Sequence, residues 1–401
     1  MNVQAVLTES LRAPSAHNAQ PWRITPRADG GYELHYDHLD YLPFDPDDRD
    51  AYLAMGAFLE TMNLAAQRHG LIAGFTPVFS RNGSDLYVGC VRFREAEADR
   101  PADPLAGPAA DRHTNRQPYD RTPLPDELRT RLTALGCALV PPGQMARLVR
   151  KASVLSWNDR RFVADLDRWI SADPGAPAGM TPAGLPLSRL EWTGLRVALR
   201  LGRLPAPLAH VAAARDVRLL DQAQAVAVLG AADLTPPVLA DAGRRLLRSW
   251  VAINAAGFAY HPISVAVDRP ETAPQVAATA GVPVPVAVFR IGRPRREAPR
   301  SNRRDLADVL RPRLRRPAGA GDRRGHQAGH AGSSSSALAI AARSRPAWAS
   351  GEMSPIQAPI PDSLPAWYFS LSAPRRGDIS RRCSRALSRC DRTGAWCHAA
   401  M

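Results

Sequence analysis

Near the start of the chain stands the stretch Ala13-Pro14-Ser15-Ala16-His17-Asn18-Ala19-Gln20-Pro21-Trp22. The residues before it, 2–11, have an amphipathic pattern that predicts a short helix. Pro14 ends that helix, because proline has no backbone N–H to donate. Ser15 and Asn18 then bring short hydrogen-bonding side chains into a turn. Loops between a helix and a strand commonly have this composition, so a ligand-binding interpretation needs support from elsewhere in the chain.

A second stretch, Arg112-His113-Thr114-Asn115-Arg116-Gln117-Pro118-Tyr119, carries two arginines on either side of a hydroxyl. An extended backbone would place Arg112, Thr114 and Arg116 on the same side. Two guanidinium groups and a hydroxyl in that arrangement can clamp a phosphate, since charge-assisted hydrogen bonds are the strong ones. The alternative interpretation is a solvated charged loop, which is common on protein surfaces.

Two further stretches place a glycine at the end of a predicted helix or strand. Gly257 closes a long helix and is followed by a turn through His261-Pro262-Ile263-Ser264, which can bring backbone groups up to a flat ligand. His261, a lone histidine before proline, is interpreted as structural rather than catalytic. Gly292 and Arg293 end an apolar strand, and glycine lets a backbone approach a ligand. The chain has no Walker motif and no G-x-G-x-x-G after a strand, so it lacks the signals of a P-loop or Rossmann site.

The pattern of apolar residues predicts the α+β class, with a mainly antiparallel sheet between helices. Long helices are predicted over residues 51–68 and 236–258. The predicted strands are 23–27, 32–36, 75–79, 86–93, 137–140, 226–231 and 284–292, and shorter helices are predicted from residue 125 and over 158–170. Strands and helices do not alternate strictly, which disfavours a doubly wound parallel sheet. Residues 95–110 are interpreted as a linker, and residues 173–186, rich in Pro, Gly and Ala, as an irregular excursion of the kind that often forms a lid.

Composition and charge exclude several classes of protein. The net charge is +14 over 401 residues, but Lys151 is the only lysine, and an arginine-only bias is more typical of genome coding than of a nucleic-acid arm. A nucleic-acid partner is therefore disfavoured, and binding of nucleic acid through the basic residues after 316 is kept as a third hypothesis. We expect no metal site, because Cys383, Cys390 and Cys397 do not have the close spacing of zinc ligands. Without a signal sequence or a long apolar segment, we expect a cytoplasmic protein with no membrane partner.

In this order the four stretches resemble the nitroreductase family of flavoproteins, and more closely its fused twin-domain, Acg-type branch. The first stretch is similar to the family signature Pro-Ser-x-x-Asn-x-Gln-Pro-Trp, and the second to its Arg-x-Ser-x-Arg/Lys phosphate motif, with Thr114 for serine. Pro262-Ile263 resembles the segment along the flavin. Gly292-Arg293 resembles the pair that completes the phosphate site. The resemblance covers residues 1–316.

The resemblance implies an FMN-dependent oxidoreductase, in which NAD(P)H gives a hydride to flavin N5 and a nitroaromatic or a quinone takes the electrons. It implies no catalytic protein residue, with Arg116 as a stabiliser of negative charge at flavin N1. The cofactor-binding residues that it implies are Pro14, Ser15, Ala16, Asn18, Arg112, His113, Thr114, Arg116, Pro262, Ile263, Ser264, Gly292 and Arg293. Ser264 and Val265 depart from the Glu-Gly of the family. The alternative function is a protein that holds FMN under a lid without turnover.

The order of the motifs implies a fusion of two nitroreductase-like, pseudo-symmetric halves. Here the Pro-Ser loop precedes the phosphate motif, whereas ordinary members have the reverse order and build each site between two identical chains. We therefore expect half one over residues 1–110, half two over residues 111–316 with a lid at about 173–210, and one composite site in a monomer. Residues 317–401 are predicted to be a disordered basic tail, because they are rich in Ser, Gly, Pro and Arg.

Overall fold

The computed structural model describes residues 1–37, 45, 48–82, 85–97 and 99–311. Its helices are α1 Val3–Ser10, α2 Arg49–Arg68, α3 Ala106–Ala109, α4 Asp126–Ala134, α5 Pro142–Asn158, α6 Arg160–Trp169, α7 Arg189–Leu201, α8 Ala206–Asp221, α9 Pro236–Ala255, α10 Ala273–Ala280 and α11 Leu306–Val309. Its strands are β1 Trp22–Pro26, β2 Tyr32–Tyr36, β3 Leu71–Asn82, β4 Asp85–Glu95, β5 Cys137–Val140, β6 Ala225–Ala231, β7 Ala259–Pro262 and β8 Val284–Gly292. Within these residues the strands form two four-stranded antiparallel sheets, ordered β1-β2-β4-β3 and β5-β6-β8-β7. The predicted α+β class is confirmed.

The first sheet begins with a tight hairpin that holds the start of β1 in the core. Trp22 of β1 pairs with Tyr36 of β2. Gly30 between the strands has φ +78°, the left-handed conformation that the predicted turn needs. The Trp22 ring is fully buried and stacks on Phe58 of α2, with 4.8 Å between ring centroids. This packing fixes the end of the loop that precedes β1.

The second sheet carries a buried cation on its central strand β8. The guanidinium group of Arg290 is fully buried and donates to the backbone carbonyls of Leu219, Arg116 and Gln117 at 2.9, 3.1 and 2.9 Å. Its carbon Cζ lies 4.0 Å from the centre of the Tyr119 ring, a cation–π distance. Arg290 thereby ties residues 116–119 to the sheet.

The two long helices α2 and α9 cross in direct backbone contact. A Cβ atom on Gly56 would lie 1.9 Å from the carbonyl oxygen of Ala240. The arrangement is reciprocal, because a Cβ atom on Gly243 would lie 2.1 Å from the carbonyl oxygen of Leu53. Only glycine fits at either position. A hydrophobic core that includes residues from both sheets surrounds this crossing.

Within residues 95–110, predicted as a linker, a short part packs against the core. Leu105 and Ala106 are buried, and the Asp103 carboxylate pairs with Arg248 of α9 at 2.7 Å. The Pro, Ala and Asp of this segment are also typical of linkers. Its composition therefore could not predict the ion pair between Asp103 and Arg248, which is far away in the sequence.

The predicted strands and long helices are confirmed, although their ends differ by a few residues. Helices α5, α7, α8 and α10 and strand β7 were not predicted, and α7 lies inside the lid candidate of residues 173–210. Residues 173–186 contain only one short 3-10 turn, Pro182–Gly184, as their composition predicts. The predicted tail, residues 317–401, lies outside the described residues. In the part of the chain that the structure covers, no helix has the length and apolar character that crossing a membrane requires.

Candidate functional site

The loop between α1 and β1, from Pro14 to Trp22, follows a tight left-handed path. His17, Asn18 and Gln20 have φ values of +50°, +58° and +55°, which residues other than glycine rarely adopt. The Ser15 hydroxyl accepts a hydrogen bond from the backbone N–H of Gln20 at 2.9 Å and closes the loop. Such conformations persist only where the surroundings hold them, and they concentrate at functional sites.

Side chains of this loop bind the segment 173–186, called here the lid segment. The Asn18 amide donates to the carbonyl of Gly179 at 3.1 Å, and the Gln20 amide donates to that of Pro177 at 2.8 Å. In return, the backbone N–H of Gly179 donates to the carbonyl of Asn18 at 3.1 Å. Of the two polar side chains that the sequence predicted to face a ligand, Asn18 therefore holds the lid segment and Ser15 closes the loop.

A third amide closes the lid segment from the opposite end of the chain. The Asn302 side chain donates to the carbonyls of Pro174 and Ala176 at 2.9 and 3.0 Å. The cavity at the Pro-Ser loop is small. The cavity at the loop has a volume of about 10 Å³ and is lined by Ser15, Ala16, Ala19, Pro21, Tyr36, Asp50, Ala51 and Ala54. Sites for small molecules and cofactors commonly measure about 300 Å³ or more. No residue of the lid segment lines this cavity, and the lid segment is held in place by the bonds from Asn18, Gln20 and Asn302.

The predicted phosphate motif runs along Tyr260 of β7. The backbone N–H of Asn115 donates to the carbonyl of Tyr260 at 3.2 Å. The Tyr260 hydroxyl is within 2.5 Å of Nη1 of Arg112 and 3.4 Å of the Thr114 hydroxyl. Its ring is fully buried and stacks on Trp250 at 4.5 Å between centroids. A rigid aromatic side chain therefore orients one predicted arginine and the predicted hydroxyl.

Three arginines meet at this point, and we call Arg12, Arg112 and Arg303 the arginine cluster. Arg112 and Arg303 both donate to the carbonyl of Arg12, at 2.8 and 3.2 Å. Arg303 also donates to the side-chain oxygen of Asn18 at 2.9 Å. The Nε atoms of Arg12 and Arg303 are buried and have no hydrogen-bond partner. Among the described residues, no carboxylate forms an ion pair with any of the three arginines.

The pKa values of Arg12 and Arg303 are lowered because each positive charge lies away from water and near other positive charges. Burial, together with the charges of Arg112 and Arg12, lowers the pKa of Arg303 to about 9. Burial also lowers the pKa of Arg12, with Arg300 and Arg112 acting in the same direction and Asp111 opposing them. Arg300 itself pairs with Asp111 at the surface. Buried charges are normally paired, so this cluster has the electrostatics of an anion site.

Arg116 lies between the loop and the lid segment. Its Nη1 donates to the carbonyl of Gly184 at 3.1 Å. Its charge also reaches His17, whose pKa falls to about 4 mainly through burial, with Asp50 raising it and Arg116 lowering it. Arg116 therefore acts on the Pro-Ser loop through its charge, and its hydrogen bond is made to the lid segment.

Pro262 is the last residue of β7, Ile263 and Ser264 follow it, and all three are half-buried. The backbone N–H of Ile263 donates to the carbonyl of Val288 at 2.8 Å, and the Ser264 hydroxyl accepts the N–H of Val288 at 3.4 Å. These bonds fix the turn against β8 and give it a defined backbone path.

In this structure Gly292 and Arg293 contact Tyr119 and Asp120, whereas the sequence predicted that they complete a phosphate site. A Cβ atom on Gly292 would lie 2.7 Å from the Tyr119 ring, so the glycine makes room for that side chain. The Arg293 side chain is exposed, its carbonyl accepts the N–H of Asp120 at 2.9 Å, and its charge lowers the pKa of that carboxyl after the hydrogen bonds from Thr122. The structure thus places Arg303, and not Arg293, beside Arg112.

The remaining predicted residues lie at the edges of the site. Pro14 and Ala16 are half-buried in the loop. The backbone N–H of His113 donates to the Asn254 side chain at 2.9 Å, and its ring is 2.9 Å from the carbonyl of Asp111. His113 therefore fixes the backbone of the phosphate motif to α9.

His261 has the structural role that the sequence predicted. Its Nδ1 accepts a hydrogen bond from Nε of Arg290 at 3.1 Å. Burial lowers its pKa well below the ordinary range, and Arg290 lowers it further. A neutral, buried acceptor of this kind completes the hydrogen bonding of Arg290.

Sequence reasoning missed Arg12, Tyr260 and Asn302 as residues of the site. Arg303 belongs to a basic run, residues 300–304, that can be seen after β8, but nothing in the run distinguishes it from its neighbours. Arg12 ends a helix next to Pro14 and has no motif of its own. These residues become site residues only through contacts between distant parts of the chain.

Similarity to known proteins is found in the structure and not in the sequence. No family model matches the chain, and no curated protein matches it. A 1.80 Å crystal structure of a protein from Anabaena variabilis, provisionally described as a nitroreductase, is similar over 73% of this chain and 88% of the other, with a TM-score of 0.41 and 11% identity. A similarity this weak assigns neither a cofactor nor an activity to this chain.

Proposed function

We propose that the chain binds FMN and is an NAD(P)H-dependent oxidoreductase acting on nitroaromatics or quinones. The arginine cluster carries the proposal. Its three arginines lie together without a carboxylate, Arg112 buried and Arg12 and Arg303 half-buried, and the buried Nε atoms of Arg12 and Arg303 lack a partner. A terminal monophosphate supplies the missing negative charge and the missing acceptors at once. FMN ends in such a group.

Each residue near the cluster has a defined task in this proposal. Tyr260 orients Arg112 and Thr114 through its hydroxyl, and Asn18 orients Arg303. Arg116 supplies a positive charge that would balance an anionic reduced flavin near its N1 atom. Bound flavin would accept a hydride at N5 from NAD(P)H and pass the electrons to the acceptor. No protein acid or base is assigned to the reaction.

Access to the site depends on the lid segment. The cavity of about 10 Å³ at the loop is far smaller than a flavin ring system requires. In this proposal the bonds from Asn18, Gln20 and Asn302 to the lid segment break when the cofactor enters. In the oxidoreductase proposal the lid segment opens again for each electron donor, so turnover is limited by gating.

The test combines an absorbance spectrum of the purified protein with FMN titrations of single variants. Replacing Arg112 or Arg303 with alanine removes charge-assisted bonds and should weaken FMN binding by about 1.5–3 kcal/mol each, which is roughly 10-fold to 100-fold in Kd. Arg293→Ala is the matched control, because that side chain is exposed beside Asp120. Unchanged affinity in both Arg112→Ala and Arg303→Ala would show that the phosphate assignment is wrong.

Activity needs a second readout. Anaerobic addition of NADH or NADPH should bleach the flavin absorbance of the loaded protein, and a nitroaromatic or a quinone should restore it. If the protein holds FMN tightly, is reduced by dithionite and yet does not react with either nicotinamide, it sequesters the cofactor and the oxidoreductase proposal fails.

A further inference from the structure

Helices α7 and α8 leave five large apolar side chains exposed to solvent. Leu190, Val197 and Leu201 of α7 are 82%, 45% and 52% exposed. Leu208 and Val211 at the start of α8 are 49% and 68% exposed. These five make up most of the large apolar side chains that the described part of the chain leaves exposed.

The apolar residues of α7 form one stripe along the helix. Leu190, Gly194, Val197 and Leu201 are four, three and four residues apart, the spacing of a single helical face. A Cβ atom on Gly194 would meet nothing within 4 Å, so the face is open along its length. It is therefore a convex surface, from which leucine and valine side chains project outward.

Arginines border this stripe. On a helical wheel of 100° per residue, Arg189, Arg196 and Arg200 fall together on one side of it, and all three are exposed. None of them has an ion-pair partner within the residues that the structure describes. Glu191 is the only acidic residue of α7, and its carboxylate is used by Arg215 at 2.8 Å. The exposed face is apolar and cationic, with no acid to neutralise it.

The packing of α7 against its neighbours does not involve this outer face. Ala198 on the inner side of α7 is buried with Leu204 and Ala209, and Trp157 of α5 packs against them. Ser188 begins α7 with a capping box in which Ser188 and Glu191 satisfy each other's backbone N–H groups. The outer stripe contributes nothing to either feature, so its exposure has no structural explanation within the described residues.

We propose that this face, the apolar stripe of α7 with its arginine border, binds the surface of an anionic phospholipid bilayer. An amphipathic helix with leucine and valine on one side and arginine beside them inserts its apolar residues among the acyl chains and pairs its cations with lipid phosphates. A peptide partner would need a groove to bury its own apolar residues, and this surface is convex. A second copy would bring the same arginines together, and residues 317–401 are themselves rich in arginine, so charge favours neither.

The proposal is independent of the flavin proposal, since none of these residues belongs to the arginine cluster or to the loop. It replaces the expectation, drawn from the sequence, that the protein has no membrane partner. That expectation came from the lack of a membrane-spanning segment, which has no bearing on a protein that lies on the surface.

The test is co-sedimentation of the full-length protein with vesicles of phosphatidylcholine containing 30% phosphatidylglycerol, and with vesicles of phosphatidylcholine alone. Two double variants probe the face: Leu190→Ser with Leu201→Ser, and Arg196→Gln with Arg200→Gln. Arg94→Gln with Arg100→Gln is the matched charge control, because both arginines are exposed elsewhere. Leu234→Ser, at a residue 51% exposed, is the matched apolar control.

We expect the parent and both controls to bind the anionic vesicles, and each α7 double variant to bind at least tenfold more weakly with an unchanged melting temperature. Higher salt should weaken binding, and the neutral vesicles should bind little. Equal binding by the α7 variants and the parent would overturn the proposal. So would self-association that the Leu190→Ser and Leu201→Ser pair abolishes without any binding to vesicles, because the face would then join two copies.

Discussion

Gly56 of α2 and Ala240 of α9 meet backbone to backbone, so that a Cβ atom on Gly56 would lie 1.9 Å from the Ala240 carbonyl oxygen. Gly243 and Leu53 make the same contact in the opposite sense. The helices that carry these residues are the longest in the described structure. The position of one sheet relative to the other therefore depends on two glycines.

Gly56→Ala should destabilise the protein strongly, because the added methyl group overlaps a backbone carbonyl that cannot move without moving α9. Overpacking of this kind costs about 1–3 kcal/mol or more. Scanning calorimetry should show a clear fall in the melting temperature. Gly143→Ala is the control, since a Cβ atom there meets nothing within 4 Å. Equal melting temperatures for Gly56→Ala and the parent would show that the helices are not in direct contact.

Tyr260→Phe should weaken FMN binding without unfolding the protein. The change removes only the hydroxyl that contacts Arg112 and Thr114, and it keeps the ring that stacks on Trp250. We expect a loss of about 1 kcal/mol, roughly fivefold in Kd, in a fluorescence titration with FMN. Tyr32→Phe is the control on the first sheet. Equal FMN affinity in Tyr260→Phe and the parent would mean that Arg112 does not need this hydroxyl.

His17 should make folding stability depend on pH. Its pKa falls from the ordinary value near 6.5 to about 4 in the folded protein. The unfolded chain therefore binds this proton more readily, and stability that is fully present above pH 6.5 is lost as the pH falls towards 4. Urea unfolding at pH 7.5 and 5.0 should show that His17→Asn, which tolerates a positive φ, loses less stability on acidification than the parent, by up to about 2 kcal/mol.

His210→Asn, at an exposed position on α8, provides the control for that experiment and should follow the parent. If His17→Asn and His210→Asn lose equal stability on acidification, His17 is not buried as the structure has it.

Asn302→Ala should loosen the lid segment. The variant loses the bonds to the carbonyls of Pro174 and Ala176. Hydrogen exchange at the backbone amides of Gly179 and Met180 should accelerate, because both are hydrogen-bonded only while the lid segment is closed. In protein loaded with FMN, anaerobic flavin reduction should accelerate while the FMN affinity changes little.

Gln144→Ala, at an exposed position on α5, is the control for the lid experiment. Unchanged exchange at both amides in Asn302→Ala would show that this side chain does not hold the lid segment.

Removal of residues 317–401 should leave the melting temperature and the FMN content nearly unchanged, since the arginine cluster and both sheets lie before residue 312. Light scattering should give the mass of a monomer for the shortened chain, as the predicted fusion requires. A large loss of stability would mean that the removed residues pack on the rest. An obligate dimer would contradict the fusion.

The sequence predicted the helices and strands that bury most of their residues. Helix α2 and strand β8 bury most of their residues, so their apolar patterns are strong. The apolar stripe of α7 faces outward and only Ala198 is buried, so this helix has no wide buried face. Helix α5, which begins at Pro142 directly after Pro141, was not predicted.

The candidate site was predictable where it depends on local motifs and not where it depends on distant contacts. The stretches around Asn18 and Arg112 were found from their own residue types. The choice between Arg293 and Arg303 was not, because both follow β8 in an arginine-rich run. Arg293 and Arg303 are distinguished only by the fold, because the chain after residue 293 brings Arg303 into contact with the carbonyl of Arg12.

The arginine cluster joins residues 291 positions apart, since Arg303 donates to the carbonyl of Arg12. A ribosome adds about 5–20 residues each second, so the first member of the cluster exists for many seconds before the last is made. A nascent chain can form β1, β2 and α2 in that time, but it has no complete anion site. A bound anion at this place would therefore mark a chain whose synthesis has passed residue 303, and cofactor loading would be a step that follows translation.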